Sequence, residues 1–134
     1  MNPTVLYIED HPDNMTLVRR ILQAESYTLI EAQTGSQGIL FAETQDIDMI
    51  LLDINLPDID GYEVARKLRA SKKAGLTQIP IIAVTANAMR GDSQRALDAG
   101  CNLYLAKPIN IYELIEKVRN LVDNKSMRKP HHDA

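Results

Sequence analysis

Met49-Ile50-Leu51-Leu52-Asp53-Ile54-Asn55-Leu56-Pro57-Asp58-Ile59-Asp60-Gly61 passes from four apolar residues to an acid and then into a turn. The apolar run reads as a strand buried on both faces, as in a parallel sheet. Asp53 then stands at the open carboxyl end of that strand, where α/β sheets hold their ligands and do their chemistry. Glu9-Asp10, Thr85 and Lys107 fall at the ends of similar strands. Together these residues read as one site.

Working outward, short β-branched runs alternate with amphipathic stretches, the mark of βαβ units around a parallel sheet. The expected strands are Thr4–Ile8, Tyr27–Ala32, Met49–Leu52, Ile81–Thr85 and Leu103–Ala106. Met15, Val18, Ile21 and Leu22 form one helical stripe. Ile111, Leu114, Ile115, Val118, Leu121 and Val122 form another. Thr34, Ser36, Asp60, Asp92 and Asn110 offer capping oxygens where helices should begin, and Gly75 and Gly100 lie where two should stop. The periodicity ends at Asn124, so the expectation is one domain over 1–124 and a flexible polar tail over 125–134. Right-handed crossovers favour a doubly wound five-stranded sheet of order 2-1-3-4-5 with helices on both faces, the flavodoxin-like arrangement.

The chain has 134 residues, 45% hydrophobic and 25% charged, as expected of one soluble globular domain. Its net charge of −3, with no concentrated run of Lys and Arg, argues against a nucleic-acid partner. The apolar runs are far shorter than the roughly 20 residues of a membrane span, which argues against a membrane partner. With Cys101 the one cysteine, no internal disulfide can form, and no secretory signal follows Met1. A cytoplasmic setting fits both.

In the order 2-1-3-4-5 the strand ends bearing Asp10, Asp53, Thr85 and Lys107 are neighbours. Glu9, Asp10 and Asp53 then form a repulsive set unless a cation neutralises it or one acid stays protonated. Mg²⁺ is the natural occupant, because it favours carboxylates and waters and takes remaining oxygens from a phosphate. Mn²⁺ is an alternative ion. Lys107 offers a point charge and Thr85 a hydroxyl for phosphoryl oxygens, and Asp53 is the plausible nucleophile.

These pieces closely resemble the receiver domains of two-component response regulators. The resemblance rests on Tyr7-Ile8-Glu9-Asp10, on Leu51 through Pro57 with Asp60-Gly61, on Val84-Thr85-Ala86-Asn87-Ala88-Met89, and on Ala99-Gly100-Cys101 through Tyr104-Leu105-Ala106-Lys107-Pro108. It implies that Asp53 accepts a phosphoryl group from a histidine kinase or a phosphotransfer protein. It further implies Mg²⁺ held by Asp10, Asp53 and the main-chain carbonyl of Asn55, with Glu9 acting through water. Thr85, the Ala86 amide and Lys107 would contact the phosphoryl group. Tyr104 would be the switch aromatic that responds to Thr85, and the Lys107-Pro108 bond would be cis. Asn55 and Asn87 would tune the lifetime of the acyl phosphate. A helical phosphodonor would dock near Asp13, Asn14 and Met15. The last helix, the helix before it and the fifth strand would form the face that binds a downstream protein or a second phosphorylated copy.

Several residues carry plainer readings. Asp10 alone could be a cap and turn former; Asp58 and Asp60 read as turn and cap residues. An EF-hand loop over Asp58-Ile59-Asp60-Gly61 is ruled out by Leu56 and Lys67, where acids are needed. Tyr104 could be a packed ring, Cys101 a small buried hydrophobe, and His11 a solvated loop residue. His131, His132 and Asp133 could bind a metal only if a flexible tail could preorganise ligands.

The expected function is a stand-alone receiver, a phosphorylation-controlled binding module whose only chemistry is its own phosphorylation and dephosphorylation. One rival is an aspartyl phosphatase of the haloacid dehalogenase type. That enzyme needs a second acid two residues after the nucleophile, where this chain has Asn55. Another rival is a phosphorylation-independent scaffold with the receiver fold.

Overall fold

The computed structural model describes residues 2–86 and 91–128, with side chains as far as Asp123. Five strands alternate with five helices: β1 Thr4–Ile8, α1 Pro12–Ala24, β2 Thr28–Ala32, α2 Gly35–Thr44, β3 Met49–Asp53, α3 Gly61–Arg69, β4 Ile81–Thr85, α4 Asp92–Asp98, β5 Leu103–Ala106 and α5 Ile111–Arg128. All strand pairs are parallel and the order is β2-β1-β3-β4-β5, as the sequence pattern predicts.

Side chains on a strand alternate between faces, and the sheet sorts its apolar residues accordingly. Leu6, Ile8, Ile50, Leu52, Ile81 and Ala83 pack with Ala42 of α2, Val64 and Leu68 of α3, and Ala96 of α4. Val5, Tyr7, Met49, Leu51, Ile82, Val84 and Leu105 pack with Met15, Val18 and Leu22 of α1 and Leu114, Val118 and Leu121 of α5. Each strand of the centre feeds two cores. That is why β3 and β4 are apolar up to their last residue and buried at every position.

Helix ends follow local chemistry, with some departures from expectation. Thr34, Asp60 and Asn110 accept the amides of Gln37, Tyr62 and Glu113, at 3.0, 2.8 and 3.0 Å. Asp92 does not cap: α4 is capped by Gly91, without a side-chain bond, and Asp92 is its first residue. Gly75 does not end a helix either, since α3 stops at Arg69 and Gly75 lies in the following loop at φ +87°. Gly100 does end α4, at φ +110°, where its amide bonds to the Leu97 carbonyl and the Cys101 amide to the Ala96 carbonyl. The end of α1 has the same pair of bonds, yet Ser26 holds the left-handed position at φ 70°. α5 continues to Arg128, past the boundary set by the loss of apolar periodicity. Residues 125–128 of the expected flexible tail are thus helical, because the backbone hydrogen bonding of α5 runs on past its apolar stripe; positions 129–134, with the His131, His132 and Asp133 reading, lie outside the described residues.

Asp58 has a role that its position in the turn after β3 does not announce. Its carboxylate reaches α2, accepting the Gly35 amide at 2.8 Å and the Ser36 amide and hydroxyl at 3.0 and 2.8 Å. Burial pushes the carboxyl up, but the bonds from Ser36, Gly35 and Ile59 outweigh it and hold it down at about 2. The folded value lies below the ordinary 3.8. The stabilisation is therefore complete above about pH 4 and lost as pH falls through about 2. Asp58→Ala should lower the free energy of urea unfolding by about 1 kcal/mol at pH 7, the cost of a lost helix cap. The gap from the parent protein should narrow as pH falls from about 4 towards about 2; a gap independent of pH would exclude the charged cap.

Candidate phosphoryl and metal site

Four of the five strands deliver polar ends to one edge of the sheet. Glu9 follows β1, Asp53 closes β3, Thr85 closes β4 and Lys107 follows β5. Each of the first three is only 1% exposed. Hydrogen bonds just beyond the strands keep this edge in register: the Ile54 amide reaches the Val84 carbonyl at 3.1 Å and the Lys107 amide the Thr85 carbonyl at 2.9 Å. Gly61 lets α3 start against the same edge, since a Cβ there would meet the Ile54 Cα at 2.5 Å and the Asp53 carbonyl at 2.7 Å.

Strand alternation divides the site. Asp53 has the parity of Met49 and Leu51, so it points toward the α1–α5 side with Glu9 and Lys107. Lys107 Nζ contacts Asp53 Oδ1 at 3.0 Å, and the Asn55 amide donates to the same oxygen at 3.2 Å. Thr85 has the parity of Ile81 and Ala83 and points toward α4. Its hydroxyl lies 3.2 Å from Asp92 Oδ2. Tyr104, paired with Ala83, shares that parity and is 37% exposed. Ala86 is exposed just past β4. Asn87 lies outside the described residues. The Lys107-Pro108 bond is cis.

Glu9 is held by several groups. Tyr7, two residues earlier on the same face, donates its hydroxyl to Oε1 at 3.0 Å. The His11 amide reaches Oε2 at 3.1 Å and Asn14 Nδ2 reaches Oε1 at 3.4 Å. Burial first, then the charge of Asp53, raise the Glu9 carboxyl above its ordinary value. Burial and then Glu9 raise the Tyr7 hydroxyl likewise.

Glu9, Asp10 and Asp53 can each present an oxygen within 4.8 Å of the others. Asp10 is exposed while its two companions are buried, so the cluster has one open side. An all-oxygen anionic set of this kind suits a hard divalent cation such as Mg²⁺ or Mn²⁺, better than a soft one. The donors present fit the ion that the sequence pattern implies.

Comparison with known proteins places this site in a family. The chain matches the response regulator receiver domain over residues 5–119. It is 38% identical over 120 residues to the polar-differentiation response regulator DivK of Brucella ovis, covering 90% of this chain and 96% of that protein. The receiver domain of the sensor histidine kinase PA1611 from Pseudomonas aeruginosa, solved with a magnesium ion coordinated in its active-site cleft, is 37% identical and superposes with a TM-score of 0.84, covering 92% of this chain and 99% of that one. A CheY-like receiver from Methanospirillum hungatei, 27% identical, gives 0.87 over 96% of this chain and 99% of its own. The chain belongs to the response regulator receiver family. Among its described residues no helix is long and apolar enough to cross a membrane.

Sequence reasoning missed three partners in the site. Tyr7 could have been found from its i, i+2 relation to Glu9 on one strand. Asn14 and Asp92 could not, because each meets its partner only after a helix has docked.

The Lys107 contact yields a stability test in metal-free buffer. Lys107→Met leaves Asp53 and Glu9 uncompensated and should destabilise the protein by about 3 kcal/mol, the lower end of the range for breaking a buried pair because Lys107 is partly solvated. In an Asp53→Asn background the same substitution should cost less than half as much. Equal costs in the two backgrounds, by urea unfolding, would show that Lys107 does not compensate Asp53.

Proposed function

We propose that the protein is a stand-alone response regulator in which Asp53 accepts a phosphoryl group from a phosphohistidine of a kinase or phosphotransfer protein. A bond forms between an Asp53 carboxylate oxygen and phosphorus as the bond from phosphorus to the donor nitrogen breaks. The observation that carries this reading is the buried Asp53 carboxylate, held by Lys107 at 3.0 Å beside two further acids.

In this reading Asp10, Asp53 and the Asn55 carbonyl hold Mg²⁺ directly and Glu9 holds it through water. The ion supplies charge neutralisation at the phosphoryl oxygens. Lys107 moves from Asp53 to a phosphoryl oxygen, while the Thr85 hydroxyl and the Ala86 amide donate to the others. Asn55 and Asn87 flank the acyl phosphate and set its hydrolysis rate by controlling the approach of water. The protein acts as no enzyme on other substrates; its output is a change in protein contacts. Leu97, Tyr104, Ile111 and Tyr112 are exposed on α4, β5 and α5, an apolar set that suits a protein partner or a second copy.

Incubation with acetyl phosphate and Mg²⁺ should add one phosphoryl group by intact mass. Omitting Mg²⁺ or introducing Asp53→Asn should abolish the gain. Tyr104→Ala should leave the gain intact and weaken phosphorylation-dependent association. A gain that survives Asp53→Asn would reject the assignment.

A further inference from the structure

The bond between Thr85 Oγ1 and Asp92 Oδ2, at 3.2 Å, has a fixed direction. An ionised carboxylate only accepts, so in this bond the hydroxyl is the donor. Phosphoryl oxygens are acceptors as well. The hydroxyl cannot donate to both at once.

We infer that Asp92 is a positioning residue for the Asp53 reaction: its carboxylate competes with the phosphoryl group for the Thr85 proton and holds Thr85 in the unphosphorylated orientation. The inference rests on the reading of Asp53 as phosphoacceptor and Thr85 as its phosphoryl ligand.

The setting of Asp92 fits this role. An aspartate at a helix start ordinarily bonds helix amides, yet α4 has no side-chain cap and Asp92 is turned to Thr85 instead. The Asp92 side chain is 15% exposed, so its bond to Thr85 is largely shielded from water. Its contact with Arg95, at 3.5 Å, involves a side chain that is 63% exposed and contributes little. Tyr62 of α3 donates its hydroxyl to the Asp92 carbonyl at 3.4 Å, and the Arg95 guanidinium lies 4.4 Å over the Tyr62 ring. The backbone of α4 thus keeps a tie to α3 when the carboxylate gives up Thr85. A phosphoryl group on Asp53 carries a charge of about −2, and its approach to Thr85 also repels Asp92. Attraction of the hydroxyl and repulsion of its former acceptor act in the same direction.

The test is the rate of phosphorylation by acetyl phosphate with Mg²⁺, followed by intact mass. Asp92→Ala should raise the rate about fivefold, the effect of freeing one hydrogen bond. In a Thr85→Val background the same change should alter the rate less than about twofold. Asp92→Asn keeps an acceptor but loses the charge, and should fall between the parent and Asp92→Ala. An unchanged rate in both Asp92 variants, with the parent protein labelled, overturns the role of Asp92 alone. Equal acceleration with and without the Thr85 hydroxyl also overturns it, because Asp92 then acts through helix stability. No labelling of the parent protein overturns the phosphoacceptor reading beneath it.

Discussion

The structure depends on the burial of negative charge at one end of a parallel sheet. Glu9 and Asp53 are nearly inaccessible to solvent and stand beside Asp10, while the ammonium of Lys107 reaches across from the end of β5 to touch Asp53. Apolar packing on both faces of β3 forces that carboxylate into the edge, because strand positions before it are all claimed by the two cores. The raised Glu9 carboxyl records the cost of the arrangement. Such a site is poised to favour any group that brings in positive charge.

The two-residue repeat of the strands separates the work of the site. The Glu9 and Asp53 carboxylates and Lys107 project to the side of α1 and α5, where Asn14 bonds Glu9. Thr85 and Tyr104 project to the side of α4. Thr85 closes the strand next to Asp53 and faces the opposite side of the sheet, so the two faces approach each other at this edge. The sheet acts as a partition, with its carboxyl edge as the one place where the two faces meet.

Strand order, the two-sided core and the gathering of Glu9, Asp10, Asp53, Thr85 and Lys107 were legible because each follows from local pattern. Apolar runs fix the strands, and crossover handedness leaves few ways to order them. What could not be read depends on contacts made across the fold. Asp92 looks like a cap but faces Thr85, since Gly91, in a left-handed conformation, takes the cap position before α4. Gly75 looks like a helix stop, yet α3 ends earlier, where Arg69 turns to bond the Gly100 carbonyl at 2.7 Å. Ser26 occupies a position where glycine would be the signal, so the end of α1 carries no mark in the sequence. Asp58 looks like a turn residue and fastens a different helix.

The segment that leads away from Asp53 through Asn55 is tied down at Asp58 and ends at Gly61. Asp58 ties one part of it to the amides of α2, and Gly61 allows α3 to press against the other. The segment has no regular secondary structure of its own, but its ends lie in β3 and α3 and its middle is held by Asp58. The conformational entropy of this loop is thus surrendered during folding rather than on ligation. The chain beside Asp53 is a preorganised wall, and a ligand at that carboxylate would not have to order it.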